Sequence, residues 1–306
     1  MKRLAFLLIR GIVLLGVVSL AVVMLIIFFL YRPVLRQQTM EDAVATGSIL
    51  ASQIDVAVQR VVGYSDFYVD SPGLKDALRN YEKSPGEAAR EEACQVLGEI
   101  QPAGIAEVYN ALILQEGRVL AASQPLTEAD SRMLNADWNF HIMDGTVSEE
   151  FSPFYTRNSG VTEEKGMLYL RNFTVGEERY TLGLICSTEQ IEKDILRLSE
   201  GLFSGYAIAT MSGPSFYDYG DTADSSAVLE KHADELTFRD RDASGYYIAD
   251  TIPAGSWKVV AYLSNEQFDA RFVPVLTAAL LMCLLVCVVL ILLVFLVAAI
   301  CARGRQ

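Results

Sequence analysis

Apolar positions crowd the two ends of the chain. Residues 11–31 and 272–302 carry no charge. A membrane-crossing helix needs about 20 apolar residues, and each run is long enough. Between them the pattern changes. From about 34 to 62, apolar or small residues recur with a helical spacing: Met40, Val44, Gly47, Ala51, Ile54, Val58 and Val61. That seven-residue repeat predicts one long helix. Its stripe suits a homodimer seam or packing on its own domain, and the sequence leaves both open. Two shorter helices are expected next. One covers Leu74 to Lys83, after Ser71-Pro72-Gly73. The other is opened by Ser84 as N-cap, with Pro85 in its first turn and Glu87 completing a capping box. It should run to about Gly98 and be closed by Pro102-Ala103-Gly104.

Beyond this point a strand-like period takes over. Ala106–Leu114 and Arg118–Ala122 flank a Glu116-Gly117 turn. Met167–Thr174 and Arg179–Cys186 flank Gly176-Glu177. Both pairs read as hairpins. Ser204–Met211, before Ser212-Gly213-Pro214, starts a third hairpin. Gly245–Thr251 and Ser256–Leu263, around Pro253-Ala254-Gly255, form a fourth. Helices are expected at about 188–200 and 265–271. The stretches 124–165 and 218–243 are polar and offer few clear elements.

Residues 180–191 align with 257–268 at an offset of 77. Ser187, Glu189 and Gln190 meet Ser264, Glu266 and Gln267, and Tyr180 meets Trp257. The register continues upstream, where Tyr169 meets Tyr246 and Thr174 meets Thr251. Each copy is a hairpin, a Ser cap and a helix, which predicts two α+β modules in tandem. The second ends where the C-terminal apolar run begins.

Charge then places the chain. It has 306 residues, 52% of them hydrophobic, with a mean hydropathy of +0.27. All 38 acidic residues lie between Glu41 and Asp269. Five of the 25 basic residues (Lys2, Arg3, Arg10, Arg303 and Arg305) sit in the tails, leaving 20 against 38 in between, a net −18. Basic tails stay in the cytoplasm, so both termini are expected inside and residues 32–271 outside, although Arg32 and Arg36 run against that rule. The first run is too long for a signal-peptide core and no small-x-small site precedes Tyr31, so it reads as a retained anchor. A surface at −18 excludes nucleic acid as a partner.

The layout resembles the double Cache (dCache) extracytoplasmic sensors of bacterial receptors. The resemblance rests on Val108–Ala122, on Gly205–Gly213 and on Ile252–Ser264 with its Gly255-Ser256-Trp257-Lys258. It implies an α+β fold of two tandem PAS-like modules with antiparallel sheets and a long N-terminal helix, flanked by two transmembrane helices. The corresponding division is a basic tail 1–10, a span 11–31, helices over 34–103, a membrane-distal module 104–200, a membrane-proximal module 204–271, a span 272–302 and a tail 303–306. The resemblance further implies a small-molecule ligand in the distal module and an output domain of the histidine kinase, diguanylate cyclase or chemoreceptor type. Only Arg303, Gly304, Arg305 and Gln306 follow Ala302. Output is therefore expected from a partner chain or from a longer form of this one. A homodimer through helix 34–62 and the spans would fit.

Five residues are candidates for the ligand site: Trp138, Phe154, Tyr155, Tyr169 and Arg171. Aromatics supply apolar walls, and an arginine holds a carboxylate or phosphate by two bonds. The amino-acid-binding subgroup of the resembled family has an Arg two residues before a Trp and a Tyr after it. Here Trp138 has Ala136 and Asn139 instead, which speaks against that ligand. No enzyme is expected: His141 and His232 are the only histidines, and no His-Glu-x-x-His, Gly-x-Ser-x-Gly or phosphate loop is present. No cofactor or metal is expected, since Asp218, Asp221 and Asp224 match no standard calcium loop. Of five cysteines only Cys94 and Cys186 lie outside the apolar runs, and they could pair. The competing reading is an anchored interaction domain that has no small ligand and works through a partner protein.

Overall fold

The computed structural model describes residues 2–100, 108–158, 163–199, 202–211, 213–223 and 225–303. Pro102-Ala103-Gly104, Ser212 and Asp224 lie outside them. The chain divides into two compact units, 45–262 and the paired ends 1–44 with 263–306.

In the unit of paired ends, helix α1 (Lys2–Ile26) passes through a five-residue π-helical turn (Ile27–Tyr31) into α2 (Arg32–Val69). The other partner is α9 (Asn265–Arg303), which Ser264 caps by accepting from the Gln267 N–H at 3.2 Å. Among the described residues one helical stretch, Asn265–Leu293, is long and apolar enough to cross a membrane. A shorter apolar stretch, Leu14–Val23, lies in α1. Ala279, Cys283 and Cys287 recur every fourth residue of α9 and are half-buried. A Cβ on Gly16 of α1 would stand 3.7 Å from the Cys287 Sγ. Small residues of this kind let two helices approach closely.

The other unit is α+β, with two antiparallel sheets. The first holds β1 (Val108–Gln115), β2 (Arg118–Ala122), β3 (Glu149–Phe151), β4 (Tyr155–Asn158), β5 (Glu163–Val175) and β6 (Glu178–Ser187), in the order β2-β1-β6-β5-β3 with β4 also paired to β5. The second holds β7 (Gly205–Thr210), β8 (Ser215–Gly220), β9 (Phe238–Arg241), β10 (Gly245–Ile252) and β11 (Trp257–Ser264), in the order β8-β7-β11-β10-β9. The two orders are the same path traced twice. The 77-residue offset carries the last residue of β5 onto that of β10, and Ser187 onto Ser264.

Turn chemistry sets the hairpins. Glu116 and Gly117 both have positive φ, 50° and 75°, the primed geometry that matches strand twist. Gly205 closes the β7–β8 pair opposite Gly220. A Cβ there would collide with the Asp221 carbonyl oxygen and come within 2.6 Å of that of Tyr219. Backbone cannot give way as a side chain can. Gly205→Ala is expected to cost roughly 1–3 kcal/mol in urea denaturation, and an unchanged midpoint would contradict this close approach.

Helix α2 is the spine against which both sheets lie. Its predicted stripe is covered by its own chain: Gly47, Ala51, Ile54, Val58 and Val61 are buried, and a Cβ on Gly47 would touch Ile248 at 3.7 Å. In the first sheet Arg171 reaches Ser65 on α2, and in the second the Ala254 N–H donates to Asp55 at 2.8 Å. Each sheet is covered on its other face by short helices. These are α5 (Glu128–Leu134) and α6 (Phe140–Asp144) over the first, and α8 (Ser225–Lys231) over the second. Helices α3 (Pro72–Lys83), α4 (Glu87–Ile100) and α7 (Glu189–Ser199) complete the unit.

Two local expectations differ. Ser84 closes α3, its N–H bonded to the Asn80 carbonyl, and α4 begins at Glu87. The Ser-Pro-Gly run after Lys83 therefore serves as a stop and linker rather than as a cap. Ser187 accepts from the Glu189 N–H at 3.1 Å, one residue short of the expected bond, while Thr188 beside it bonds Glu192. Cys94 and Cys186 are not bridged to each other: Cys186 is buried in β6 and Cys94 half-buried in α4.

Candidate functional site

The five candidates divide among three places. Alternation along β5 is the reason: Leu168 and Leu170 face α5 and α6, so Tyr169 and Arg171 face α2. Arg171 is held there by Ser65 and Asp66, at 2.6 and 2.5 Å. Burial alone would lower the Arg171 guanidinium, but its bond to Asp66 holds it above the usual range. Tyr169 is fully buried, donates to Glu149 at 2.5 Å and meets the Phe151 ring at 4.5 Å with a tilt of 41°.

Phe154 sits between the two sheets. Its ring meets Phe216 at 5.2 Å, Tyr217 at 5.6 Å and Trp257 at 5.5 Å. Trp257, 1% exposed, also meets Phe151 at 5.7 Å and Phe216 at 5.2 Å. Lys165 Nζ caps this cluster 4.7 Å above the Tyr217 ring. The edge strand of the first sheet and the last strand of the second are thus joined through aromatic edges.

Trp138 and Tyr155 both pack on the face away from α2. That face has a closed apolar floor of Leu112, Leu114, Leu168, Leu170 and Ile185, with Leu134 and Ile142 from the covering helices. Packed against it and half-buried are Tyr109, Leu126, Met133, Trp138, Met143 and Tyr155, with the smaller Val119 and Ala122. The Trp138 indole N–H donates to the Met133 carbonyl at 2.8 Å, which fixes the ring.

Bonded to Tyr155 is a buried ion pair that sequence reading missed. Asp130 accepts from Arg157 twice, Nε at 2.8 Å and Nη2 at 3.0 Å. It also accepts from the Tyr155 hydroxyl at 2.8 Å and from the Thr127 N–H at 3.0 Å. The Asp130 side chain is 0% exposed and that of Arg157 7%. The guanidinium lies 4.6 Å over the Tyr109 ring, with Glu164 at 3.6 Å beyond it. Gly166 leaves room for the arginine stem, since a Cβ there would stand 2.9 Å from the Arg157 Cδ. Burial alone would raise the Asp130 carboxyl, yet the bonds from Arg157, Thr127 and Tyr155 hold it below the usual carboxylate range. With a depressed folded pKa, this stabilisation is present above the ordinary aspartate range and is lost only as pH falls through the lowered value. Burial pushes the Tyr155 phenol well above its ordinary range. One signal was available: Thr127-x-x-Asp130 has capping-box spacing, and that box forms. Nothing near Arg157 announces its partner.

No protein-family model and no curated protein matches the sequence. Solved structures do match in fold. The periplasmic sensory domain of a Campylobacter jejuni chemoreceptor superposes with a TM-score of 0.57 at 9% identity, covering 76% of this chain and 98% of that one. A sensory box/GGDEF family domain from Vibrio parahaemolyticus gives 0.53 at 13% identity, over 76% and 98%. The extracellular domain of a protein described as a histidine kinase gives 0.50 at 14% identity, over 77% and 94%. The chain has the fold of a bacterial extracytoplasmic sensory domain. This shared fold is consistent with the resemblance read from the hairpins and the tryptophan strand. The neighbours are sensory rather than catalytic domains.

Proposed function

We propose that this protein is a membrane-anchored extracytoplasmic sensor, in which the distal module binds a small molecule and the long helices carry the change onward. The observation that carries the reading is the group of half-buried aromatic and methionine side chains packed on a buried apolar cluster. Aromatic and apolar side chains with a few fixed polar groups are the usual lining of a ligand site. Trp138 and Tyr155 are the candidates for direct contact, with Tyr109 and Met133 beside them. The Arg157 fork is already taken by Asp130. The ligand we propose is therefore small and largely apolar, without a carboxylate of its own to place there.

The other three candidates take a transmitting role in this reading. Arg171 links the first sheet to α2, Tyr169 on the same face ties β5 to β3, and Phe154 links the sheet to Trp257. A ligand moves such a system only by binding one arrangement more tightly than the other. Both spans, cytoplasmic termini and an output partner belong to the same proposal. A dimer would have to use the outer face of α2, because the inner stripe is occupied. Ala45, Ile49, Ser52, Val56, Gly63 and Phe67 are exposed there, with Ile49 at 50% and Phe67 at 63%.

The test is a thermal melt of the full chain in detergent against sugars, organic acids, amines, amino acids and aromatic heterocycles. One class should raise Tm saturably, since a ligand of the native state stabilises it by mass action. Trp138→Ala should abolish that rise while leaving a cooperative melt. A rise that survives Trp138→Ala would move the site elsewhere. A melt that no compound shifts would favour the interaction-domain reading.

A further inference from the structure

The second module contains a charged network that the sensing reading above does not use. His232 follows the end of α8, with its ring stacked on Phe238 of β9 at 4.4 Å and 12°. Its side chain is 13% exposed. Nδ1 lies 2.8 Å from Glu235 Oε1, and Nε2 lies 3.0 Å from Asp240 Oδ2. A carboxylate can only accept, so both nitrogens must donate, and a ring that donates twice is an imidazolium.

Among the described residues, these charged groups lie against it. From its own segment, Lys231 donates to the same Asp240 oxygen at 2.7 Å, and Glu235 is the first carboxylate partner. From β9 comes Asp240. From β11 comes Lys258, 1% exposed, whose Nζ bonds the carbonyl oxygens of His232 at 3.1 Å and of Ala233 and Glu235 at 3.5 Å. Burial holds the Lys258 ammonium below its usual range, although Asp234 and Glu235 favour its charged form. The turn 232–235 is thus clamped from above by the imidazolium and from below by the lysine.

We infer that this turn is a proton-binding site, so that the proximal module responds to external pH independently of any ligand in the distal one. Proton loss from His232 leaves one ring nitrogen with a lone pair facing a carboxylate oxygen. One of the two clamps then repels. Lys231 keeps Asp240 in place, so Glu235 and the turn are the parts released. Release also removes carbonyl partners from Lys258, which is adjacent in sequence to Trp257 of the aromatic junction.

The sign follows from the partners. Burial alone would lower the His232 pKa, but its bonds to Glu235 and Asp240 raise it above the ordinary 6.5. The stabilisation is fully present below the ordinary value and is lost as pH rises through the raised one.

Hydrogen exchange of the full chain in lipid nanodiscs tests this at about pH 5.5 and about pH 8.5, with intrinsic rates corrected. Peptides covering 228–242 should lose protection about ten-fold at the higher pH, while the first sheet does not change. His232→Gln should give the same exchange at both pH values, and His141→Gln should behave as wild type. Wild-type protection that ignores pH, or a pH response that survives in His232→Gln, overturns the proposal. Glu235→Gln keeps the ring and Asp240 and covers the case in which His232→Gln does not fold. It should move the loss of protection to lower pH, and an unmoved transition likewise overturns the proposal.

Discussion

Asp130→Ala is expected to destabilise the 45–262 unit by about 3–5 kcal/mol, because it strands a buried guanidinium. The arginine would keep its cation–π contact with Tyr109 and its distant Glu164, but lose both of its short bonds. Tyr155 would lose its acceptor and α5 its capping box. Urea denaturation of the full chain in detergent measures this. The double variant Asp130→Leu with Arg157→Met should recover most of the loss, since it leaves no buried charge unpaired and only the Tyr155 hydroxyl and the Thr127 N–H lose their carboxylate. Recovery marks the pair as a specificity device rather than a net source of stability. If the double variant is as unstable as the single one, the pair's value lies in its shape, and the description of a neutralised fork fails. Tyr155→Phe removes a single bond and should cost only about 1 kcal/mol.

Trp257→Ala is expected to cost about 3–5 kcal/mol, the usual range for emptying a fully buried indole site. Its effect should also spread. Phe151, Phe154 and Phe216 all rest on that ring, and two of them come from the first sheet. Hydrogen exchange should therefore rise in β3 and β8 as well as in β11. Trp257→Phe, which keeps an aromatic edge, should cost less, about 1–3 kcal/mol. Exchange confined to β11 in the alanine variant would mean that the two sheets meet without being coupled there.

The sequence was most legible where one physical rule acted alone. The β5–β6 hairpin follows from alternation plus Gly176, whose φ of 62° suits the turn. The 77-residue repeat was visible because both copies keep an aromatic at the start of the last strand and a serine at its end. Both aromatics prove buried, Tyr180 at 0% and Trp257 at 1%. The stretch 124–165 was opaque for a different reason. Its elements are short, α6 with five residues and β3 with three, and they are held by long-range partners rather than by local periodicity. Asn172 reaching the Ile142 and Val147 carbonyls is one such tie. The same holds for α8 and β9 within 218–243.

The candidate site was half legible. Aromatic type pointed to Trp138 and Tyr155, but not to the aspartate that organises the second of them. Tyr169 and Arg171 were chosen for chemistry. Their side of the sheet depends on a parity fixed by which residues of β5 face α5, and residue type alone does not give that parity.

The spine arrangement sets an order of events during synthesis. Asp55 on α2 finds the Ala254 N–H 199 residues further along. At a translation rate of about 5–20 residues per second, α2 waits roughly 10–40 s before the strand that covers it exists. Through that interval the apolar stripe of Ile54, Val58 and Val61 has only the earlier sheet to shelter it. A nascent chain stalled short of β11 is then a target for holdases and proteases. Quality control would read completion of the last strand, rather than formation of the first helix, as the mark of a finished protein.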